Sequence, residues 1–359
     1  MPPSLLNQPE KMRKLDPSDM MGKVLGLPAQ FLDARQRARQ SSTLRSGLKG
    51  IRQVLVAGLG GSAIGGDLLK GLTWKTAPFS LSVNRHYDLP GWAGRDTLVV
   101  CSSYSGNTEE TLSVFHQALK ARLPLLVIST GGELLKLAQK HGLSYLAPPG
   151  GLPPRSALGY SFITLLTAME SLGLLSSQEQ AFDETLEWMT RLAVSCGPLS
   201  PVKKNLAKRL ALFLHGKLPV IYAGQDHLES VGLRWKCQIN ENSKQVCLNS
   251  VIPEMNHNEV LGYSFPEPLT KGSAVILLRQ PKGDHPQIAR RFAILKGILK
   301  SRTAGVVEAL PQGKSLLCQM MTLVYLGDFL SVYLAYLKGV DPTPIVLIDQ
   351  FKKSLAGKA

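Results

Sequence analysis

Short, continuous apolar runs alternate with amphipathic stretches along the first half of the sequence. The run at residues 97–102 is followed by a polar segment, after which Leu112, Phe115 and Leu119 repeat with the period of a helix. The other apolar runs of this half lie at residues 54–57, 81–83, 125–128 and 145–147. Continuous apolar strands separated by helices are typical of a parallel sheet that is buried on both faces. The pattern therefore predicts an α/β fold.

The second half repeats this order of elements. A strand predicted at residues 218–224 leads into a helix, as residues 54–62 do, so the two halves read as diverged copies of one unit. Further strands are predicted at residues 246–248, 275–278 and 306–308, and helices at 156–172, 179–195 and 316–337. Gly339 and Pro342 end the last helix. The predicted division is an N-terminal helical segment (1–50), two α/β domains (51–175 and 176–340) and a C-terminal tail (341–359).

Composition excludes several classes of protein. The chain of 359 residues is long enough for two cores, and 44% hydrophobic with 19% charged residues is typical of a soluble globular protein. We find no uninterrupted apolar stretch of membrane-spanning length and no secretory signal, so we expect a cytoplasmic protein with no membrane partner. Five dispersed cysteines without a Cys-x-x-Cys pair favour reduced thiols and no metal site.

The net charge of +15 has two interpretations, nucleic-acid binding or attraction of small anionic substrates. Basic residues are spread along the chain, in short clusters such as Lys203-Lys204, and there is no zinc finger or aromatic-and-basic RNA-binding motif. We therefore expect small anionic metabolites as partners, and no nucleic acid.

A serine-rich segment, Ser-Tyr-Ser-Gly-Asn-Thr at residues 103–108, follows the predicted strand at 97–102. Where a strand ends and a helix begins, backbone N–H groups and the positive end of the helix dipole point to one place. Ser103, Ser105 and Thr108 add hydroxyl donors there, and the segment predicts a phosphate site. The alternative is an ordinary helix N-cap, which accounts for one hydroxyl but not for three.

A second glycine-rich loop, Gly58-x-Gly60-x-x-Ala63, satisfies the dinucleotide-binding fingerprint. The fingerprint requires an acidic residue roughly twenty positions further on. Residues 83–86 read Val-Asn-Arg-His, with no carboxylate before Asp88. A nucleotide-dependent oxidoreductase is thus one reading of this loop. A sugar phosphate accounts for both loops, because one can bind the phosphate while the other lies along the sugar.

Together the two loops resemble the sugar isomerase (SIS) domain, and the whole chain resembles the bifunctional phosphoglucose/phosphomannose isomerases of archaea and bacteria. Four further stretches carry the resemblance, in order, at residues 154–157, 240–244, 253–258 and 339–352. The likeness extends from residue 54 to the C-terminus. It implies two tandem SIS-type (flavodoxin-like) domains, a homodimer, and an aldose–ketose isomerase that uses no metal or cofactor.

The resemblance implies interconversion of glucose 6-phosphate and mannose 6-phosphate with fructose 6-phosphate through a cis-enediol. It also implies roles for individual residues of this sequence. Ser62, Ser103, Ser105 and Thr108 would bind the phosphate, Gly60 and Gly61 would form a substrate-binding loop, Glu241 would be the base, Arg155 would stabilise the enediolate, and His257 with Lys352 would open the ring. In the family this histidine comes from the neighbouring subunit.

The chemistry of such an isomerase requires these residue types. A carboxylate carries a proton between C1 and C2, a permanent cation faces the enediolate, and histidine can act as acid or base near neutral pH. The alternatives stay open at this point. Glu241 could be a solvated helix residue that pairs with Lys244, and Arg155 and Lys352 could be ordinary surface cations.

The sequence departs from the family near the tail. Some relatives have a threonine shortly before the tail lysine, whereas the ungapped position here is Ile345 and Thr343 lies two residues earlier. Lys353 beside Lys352 also leaves the identity of the tail lysine open by one position.

Two other functions remain as alternatives. A phosphosugar-sensing regulator would usually carry a helix-turn-helix, which residues 1–50 do not show. An isomerase or transferase that acts on amino sugars would need ammonia or glutamine chemistry, and we find no glutamine-amidotransferase cysteine at the N-terminus.

Overall fold

The computed structural model describes residues 3–44, 48, 50–225, 227–355 and 357. Its N-terminal part folds into short helices: α1 (Pro9–Lys14), α2 (Met20–Leu25) and α3 (Leu27–Gln40). Leu6, Met12 and Phe31 from this part are fully buried in a hydrophobic core that also contains residues of both sheets. The helices between Pro9 and Gln40 are therefore integral to the core.

The first sheet comprises β1 (Gln53–Ala57), β2 (Ser80–Asn84), β3 (Thr97–Ser102), β4 (Leu125–Ile128) and β5 (Ser144–Leu146). Its strands are parallel and follow the order β2-β1-β3-β4-β5. Alternate residues point to opposite faces, so Val54 and Val56 enter one hydrophobic cluster while Leu55 enters another. The helices that follow β1, β3 and β4 are α4 (Gly60–Thr73), α5 (Glu109–Lys120) and α6 (Gly132–Lys140). The strand order reverses between β1 and β3, which opens a crevice beyond their carboxyl ends.

Helices connect the first sheet to the second. A 3-10 turn (Pro154–Ser156) and a π-helical turn (Gly159–Ile163) precede α7 (Thr164–Ser171), α8 (Glu179–Ser195) and α9 (Leu206–Leu214). The second sheet contains β6 (Leu218–Gly224), β7 (Leu248–Ile252), β8 (Ser273–Leu278) and β9 (Val306–Ala309) in the parallel order β7-β6-β8-β9. Its helices are α10 (Glu229–Ser243), α11 (Glu267–Lys271) and α12 (Pro286–Lys300).

The last two helices differ sharply in burial. α13 (Leu316–Lys338) packs against α2, α8, α9 and α10 and is buried from Leu317 to Leu337. Among the described residues it is long and apolar enough to cross a membrane by length and composition, which corrects the expectation that no such stretch exists. Its complete burial identifies it as a core helix. α14 (Val346–Leu355), by contrast, has no buried residue.

The prediction of an α/β fold with parallel sheets covered by helices is confirmed. Two boundaries are wrong. The strand predicted at 246–248 begins at Leu248, because Lys244 ends α10 in the left-handed conformation (φ 51°) and the Cys247 N–H donates to the Asn240 side chain. The helix predicted at 156–172 is regular only from Thr164. The domain boundaries remain predictions.

Candidate active site

The two predicted loops lie in contact at the carboxyl ends of β1 and β3. The Ser62 hydroxyl, in the first turn of α4, accepts a hydrogen bond from the Tyr104 N–H (3.0 Å). Ser103 is almost fully buried, and its hydroxyl lies 2.8 Å from that of Thr108 while accepting from the Gly106 N–H. Ser105 is exposed, and its oxygen accepts a long hydrogen bond (3.3 Å) from the N–H of Asn107. The structure thus brings the four predicted phosphate ligands to one place.

The N-cap alternative describes this loop incompletely. Thr108 does occupy the N-cap position of α5, but its side chain makes no capping hydrogen bond and contacts Ser103 instead. The Asn107 side chain accepts from the Glu133 N–H at the start of α6. These contacts hold the loop in shape and leave the first N–H groups of α5 without a side-chain cap.

Glycines allow close approach of backbone at two points of the site. Gly106 has φ +71°, and a Cβ there would collide with the carbonyl oxygen of Gly131. A Cβ at Gly61 would lie 2.5 Å from the carbonyl oxygen of Pro154. The start of α4 can therefore pack directly against the turn that carries Arg155.

A cavity of about 220 Å³ lies beside this junction. Its lining includes Gly60 and Gly61 from α4, Arg155 from the turn after the first sheet, and Arg234 and Glu241 from α10. Four of the predicted site residues, drawn from three distant stretches of sequence, thus share one cavity.

Three hydrogen bonds fix the Arg155 guanidinium. Its Nε donates to the Asn242 side chain (2.7 Å), and its Nη2 donates to the carbonyl oxygens of Pro342 (2.8 Å) and Thr343 (2.7 Å). The remaining nitrogen, Nη1, lies 3.7 Å from a carboxylate oxygen of Glu241. Burial lowers the pKa of Arg155, and the nearby Glu241 carboxylate opposes that shift. Arg155 is 4% exposed, so it is not an ordinary surface cation.

Glu241 is a half-buried carboxylate surrounded by cations. Burial raises its pKa, while Arg155, Arg234, Lys244 and Lys352 act in the opposite direction. A carboxylate with a raised pKa holds a proton more strongly, which suits a base that must take up and return a proton. The presence of Lys352 among these charges places its ammonium within electrostatic range of Glu241, although the side chain itself is exposed.

The predicted alternative for Glu241, a simple pair with Lys244, is not what the structure contains. The Lys244 ammonium donates to the main-chain oxygen of Glu241 (2.8 Å) and to that of Pro342 (2.7 Å). Burial lowers the pKa of Lys244 to about 8. Lys244 and Arg155 therefore both bind the start of the C-terminal tail and hold it beside the cavity.

The two predicted ring-opening residues, His257 and Lys352, do not line the cavity of their own chain. His257 ends the 3-10 turn Glu254–His257, and both side chains are exposed. Within the described residues, no group of three or more His, Cys, Asp or Glu side chains is arranged to hold a metal ion.

Two residues of the site, Arg234 and Asp328, are not identified from the sequence. Arg234 lines the cavity. Its Nε and Nη2 atoms donate to the Asp328 carboxylate at 3.1 and 2.8 Å. The sequence feature that could have indicated this pair is Asp328, an acidic residue within the largely apolar stretch of α13.

Comparison with known proteins places this fold in a class. A model of the bacterial phospho-glucose isomerase C-terminal SIS domain matches residues 203–355. A hypothetical protein from Thermus thermophilus has a similar solved structure, with a TM-score of 0.70, 18% identity, and coverage of 99% of this chain and 95% of that one. The protein is thus an α/β protein of the SIS class, as predicted.

Relatives in sequence narrow the class further. The bifunctional phosphoglucose/phosphomannose isomerase of Caldicellulosiruptor bescii is 41% identical over 337 residues, which cover 94% of this chain and 99% of the relative. The enzyme of the same name from Aquifex aeolicus is 35% identical over 84% of this chain and 90% of its own length. The chain belongs to the bifunctional phosphoglucose/phosphomannose isomerase family, whose members are aldose–ketose isomerases.

Proposed function

We propose that the protein interconverts glucose 6-phosphate and mannose 6-phosphate with fructose 6-phosphate, through a cis-enediol formed in the cavity between Arg155 and Glu241. The observation that carries this proposal is the approach of Arg155 Nη1 to the Glu241 carboxylate (3.7 Å). Both residues line a cavity that Gly60 and Gly61 also line, and Ser62 is the next residue in the sequence. A coupled assay that follows fructose 6-phosphate formation from each aldose, with EDTA present, tests it. If the protein converts neither aldose, the proposal is overturned.

The phosphate end of the substrate is the part that the loops can anchor. Hydroxyls of Ser62, Ser103, Ser105 and Thr108 lie at the N-termini of α4 and α5, where the helix dipoles favour an anion. Ser103 is occupied by contacts within its loop, so it chiefly shapes the site. Ser105 is the exposed hydroxyl of the group and is free to turn to a phosphate oxygen.

Ser105→Ala tests the anchoring role. A hydrogen bond to a charged group contributes about 1.5–3 kcal/mol, so we expect KM for either aldose to rise by about 10- to 100-fold while kcat changes little. Steady-state kinetics give both constants. Ser113→Ala on α5 is the matched control, because the Ser113 hydroxyl accepts a hydrogen bond from Gln117 on the same helix. A large fall in kcat at unchanged KM would contradict a purely anchoring role.

The sugar end undergoes proton transfer. For the aldose, Glu241 takes the proton from C2 and returns it to C1, and the enediolate charge that develops between these steps faces the fixed Arg155 guanidinium. Because C2 is planar in the enediol, the face of C2 presented to the carboxylate decides whether the reverse reaction yields glucose or mannose 6-phosphate.

Ring opening requires an acid and a base, which we assign to His257 and Lys352. His257 is exposed and does not line the cavity of its own chain. The segment that follows it exposes Leu261 (73%) and Phe265 (83%), and the tail helix exposes Phe351 (70%). Exposed apolar side chains next to a polar histidine support a homodimer in which His257 enters the cavity of the partner subunit.

Complementation between inactive subunits tests this arrangement. Co-expression of a Glu241→Gln chain and a His257→Asn chain with different tags, and purification on both tags, gives a heterodimer. If His257 acts across the interface, one of its two sites is intact, and we expect about half of the wild-type activity per dimer.

The reciprocal heterodimer is the matched control. It pairs a wild-type chain with a chain that carries both Glu241→Gln and His257→Asn, so each of its sites lacks one group and we expect no activity. The opposite pattern, with the first heterodimer inactive and the second half active, would show that His257 acts within its own subunit.

A further inference from the structure

A buried ion pair lies directly behind the cavity. Arg234 on α10 and Asp328 on α13 are each 4% exposed at the side chain, and the Arg234 fork binds both carboxylate oxygens of Asp328. The Gln238 amide donates to the same carboxylate (2.9 Å). Removing two charges from water is costly, and well-packed apolar residues often stabilise a core as well or better. Stability alone therefore gives a weak account of this pair.

The ion pair is connected to the backbone of Arg155. Nη2 of Arg234 donates to the Arg155 carbonyl oxygen (2.9 Å) as well as to Asp328. Eight residues later on the same helix, Asn242 accepts from the Arg155 Nε, and the Asn242 amide in turn donates to Ser331 on α13. Helix α10 thus holds Arg155 at two points, its main chain and its guanidinium, and α13 braces both of the α10 side chains.

We propose that Arg234 and Asp328 are positioning residues for Arg155, and that the carboxylate of Asp328 orients the Arg234 fork so that it fixes the Arg155 main chain. Asn242 fixes the Nε end, and Nη1 is then directed at the Glu241 carboxylate. The proposal rests on the role given to Arg155 above. The physical basis of the proposal is the fixed orientation of a bidentate ion pair. Such a pair holds the Arg234 guanidinium in one geometry, whereas an apolar contact would let the side chain rotate.

The variant Arg234→Met/Asp328→Asn tests the proposal, because it removes both charges together and leaves an oxygen at position 328 for Gln238. Misplacement of a catalytic group by about 1 Å can cost about 10²-fold in rate, so we expect kcat for either aldose to fall by about 10- to 100-fold. KM should stay within about threefold, because the phosphate loops are untouched, and the melting temperature should remain near that of wild type. A kcat within twofold of wild type would overturn the proposal.

Combination with Arg155→Lys separates positioning from a general loss of structure. If the pair acts through Arg155, adding Arg234→Met/Asp328→Asn to Arg155→Lys lowers kcat by less than about twofold, whereas independent effects multiply. Multiplication would overturn the proposal. If Arg155→Lys alone leaves kcat unchanged, the role of Arg155 fails and the positioning proposal fails with it. If Arg155→Lys is impaired and the charge-pair variant is not, only the positioning proposal fails.

Arg35 and Glu170 supply the matched control. They form another buried arginine–carboxylate pair (3.5 Å, 4% and 9% exposed), and neither residue lines the cavity. Arg35→Met/Glu170→Gln should leave kcat within about twofold of wild type, whatever its effect on the melting temperature. A fall in kcat like that of the Arg234 and Asp328 variant would show that any buried pair has this effect, and would overturn the proposal.

Discussion

Glu241→Gln is expected to lower kcat by about 10²- to 10⁴-fold, the contribution of a positioned general base. Glutamine has nearly the same shape as glutamate, so the cavity is preserved, but its amide cannot take up the C2 proton. Sugar-phosphate binding should persist, because the loops proposed to anchor the phosphate lie at the N-termini of α4 and α5. The coupled fructose 6-phosphate assay measures the loss, and calorimetric titration of the inactive variant measures the retained affinity.

Glu229→Gln provides the control on the same helix. Glu229 is exposed in the first turn of α10 and does not line the cavity, so its loss should change kcat by no more than about twofold. Wild-type turnover in the Glu241→Gln variant would refute the assignment of the base. Loss of both turnover and sugar-phosphate affinity would instead assign Glu241 to binding.

Arg155→Lys should lower kcat by about 10²- to 10³-fold, as expected when one preorganised donor to a developing oxyanion is removed. Lysine keeps the positive charge, but one ammonium cannot bind Asn242, bind the carbonyl oxygens of Pro342 and Thr343, and face Glu241 at once. The guanidinium geometry, rather than the charge, is therefore what the variant tests. Steady-state kinetics with each aldose give kcat and KM.

Arg35→Lys is the matched control for this prediction, because Arg35 is as buried as Arg155 (4% exposed) and lies outside the cavity lining. We expect it to reduce the melting temperature while kcat stays within about twofold of wild type. If Arg155→Lys and Arg35→Lys lowered kcat equally, the effect would belong to burial of arginine and not to the active site.

The fold was largely predictable because its signals are local. β3 is a run of six buried residues, and the pattern at 97–102 predicted it with the same bounds. The loop after it was also readable, since a strand end, a glycine and three hydroxyls are neighbours in sequence. The edge strand β7 was misplaced because its start depends on contacts of Lys244 and Asn240, and its own residues are only half buried.

The site was less predictable because its geometry depends on distant parts of the chain. Glu241 and Arg155 were found through the family resemblance, whereas the hydrogen-bond partners of the Arg155 guanidinium lie 87 to 188 residues away in sequence. No local pattern indicates that Pro342 and Thr343 would supply carbonyl oxygens to it. Arg234 and Asp328 were missed for the same reason, since each is meaningful only when α10 lies against α13.

The hydrophobic core that the N-terminal helices share with both sheets has a consequence for how the molecule can be divided. Val54 of the first sheet, Ile221 of the second and Phe31 of α3 belong to one continuous apolar cluster. A fragment that ended after β5 would expose much of that cluster to solvent, and so would a fragment that began at β6. The two halves therefore share one core, and we expect neither fragment to be stable without the other.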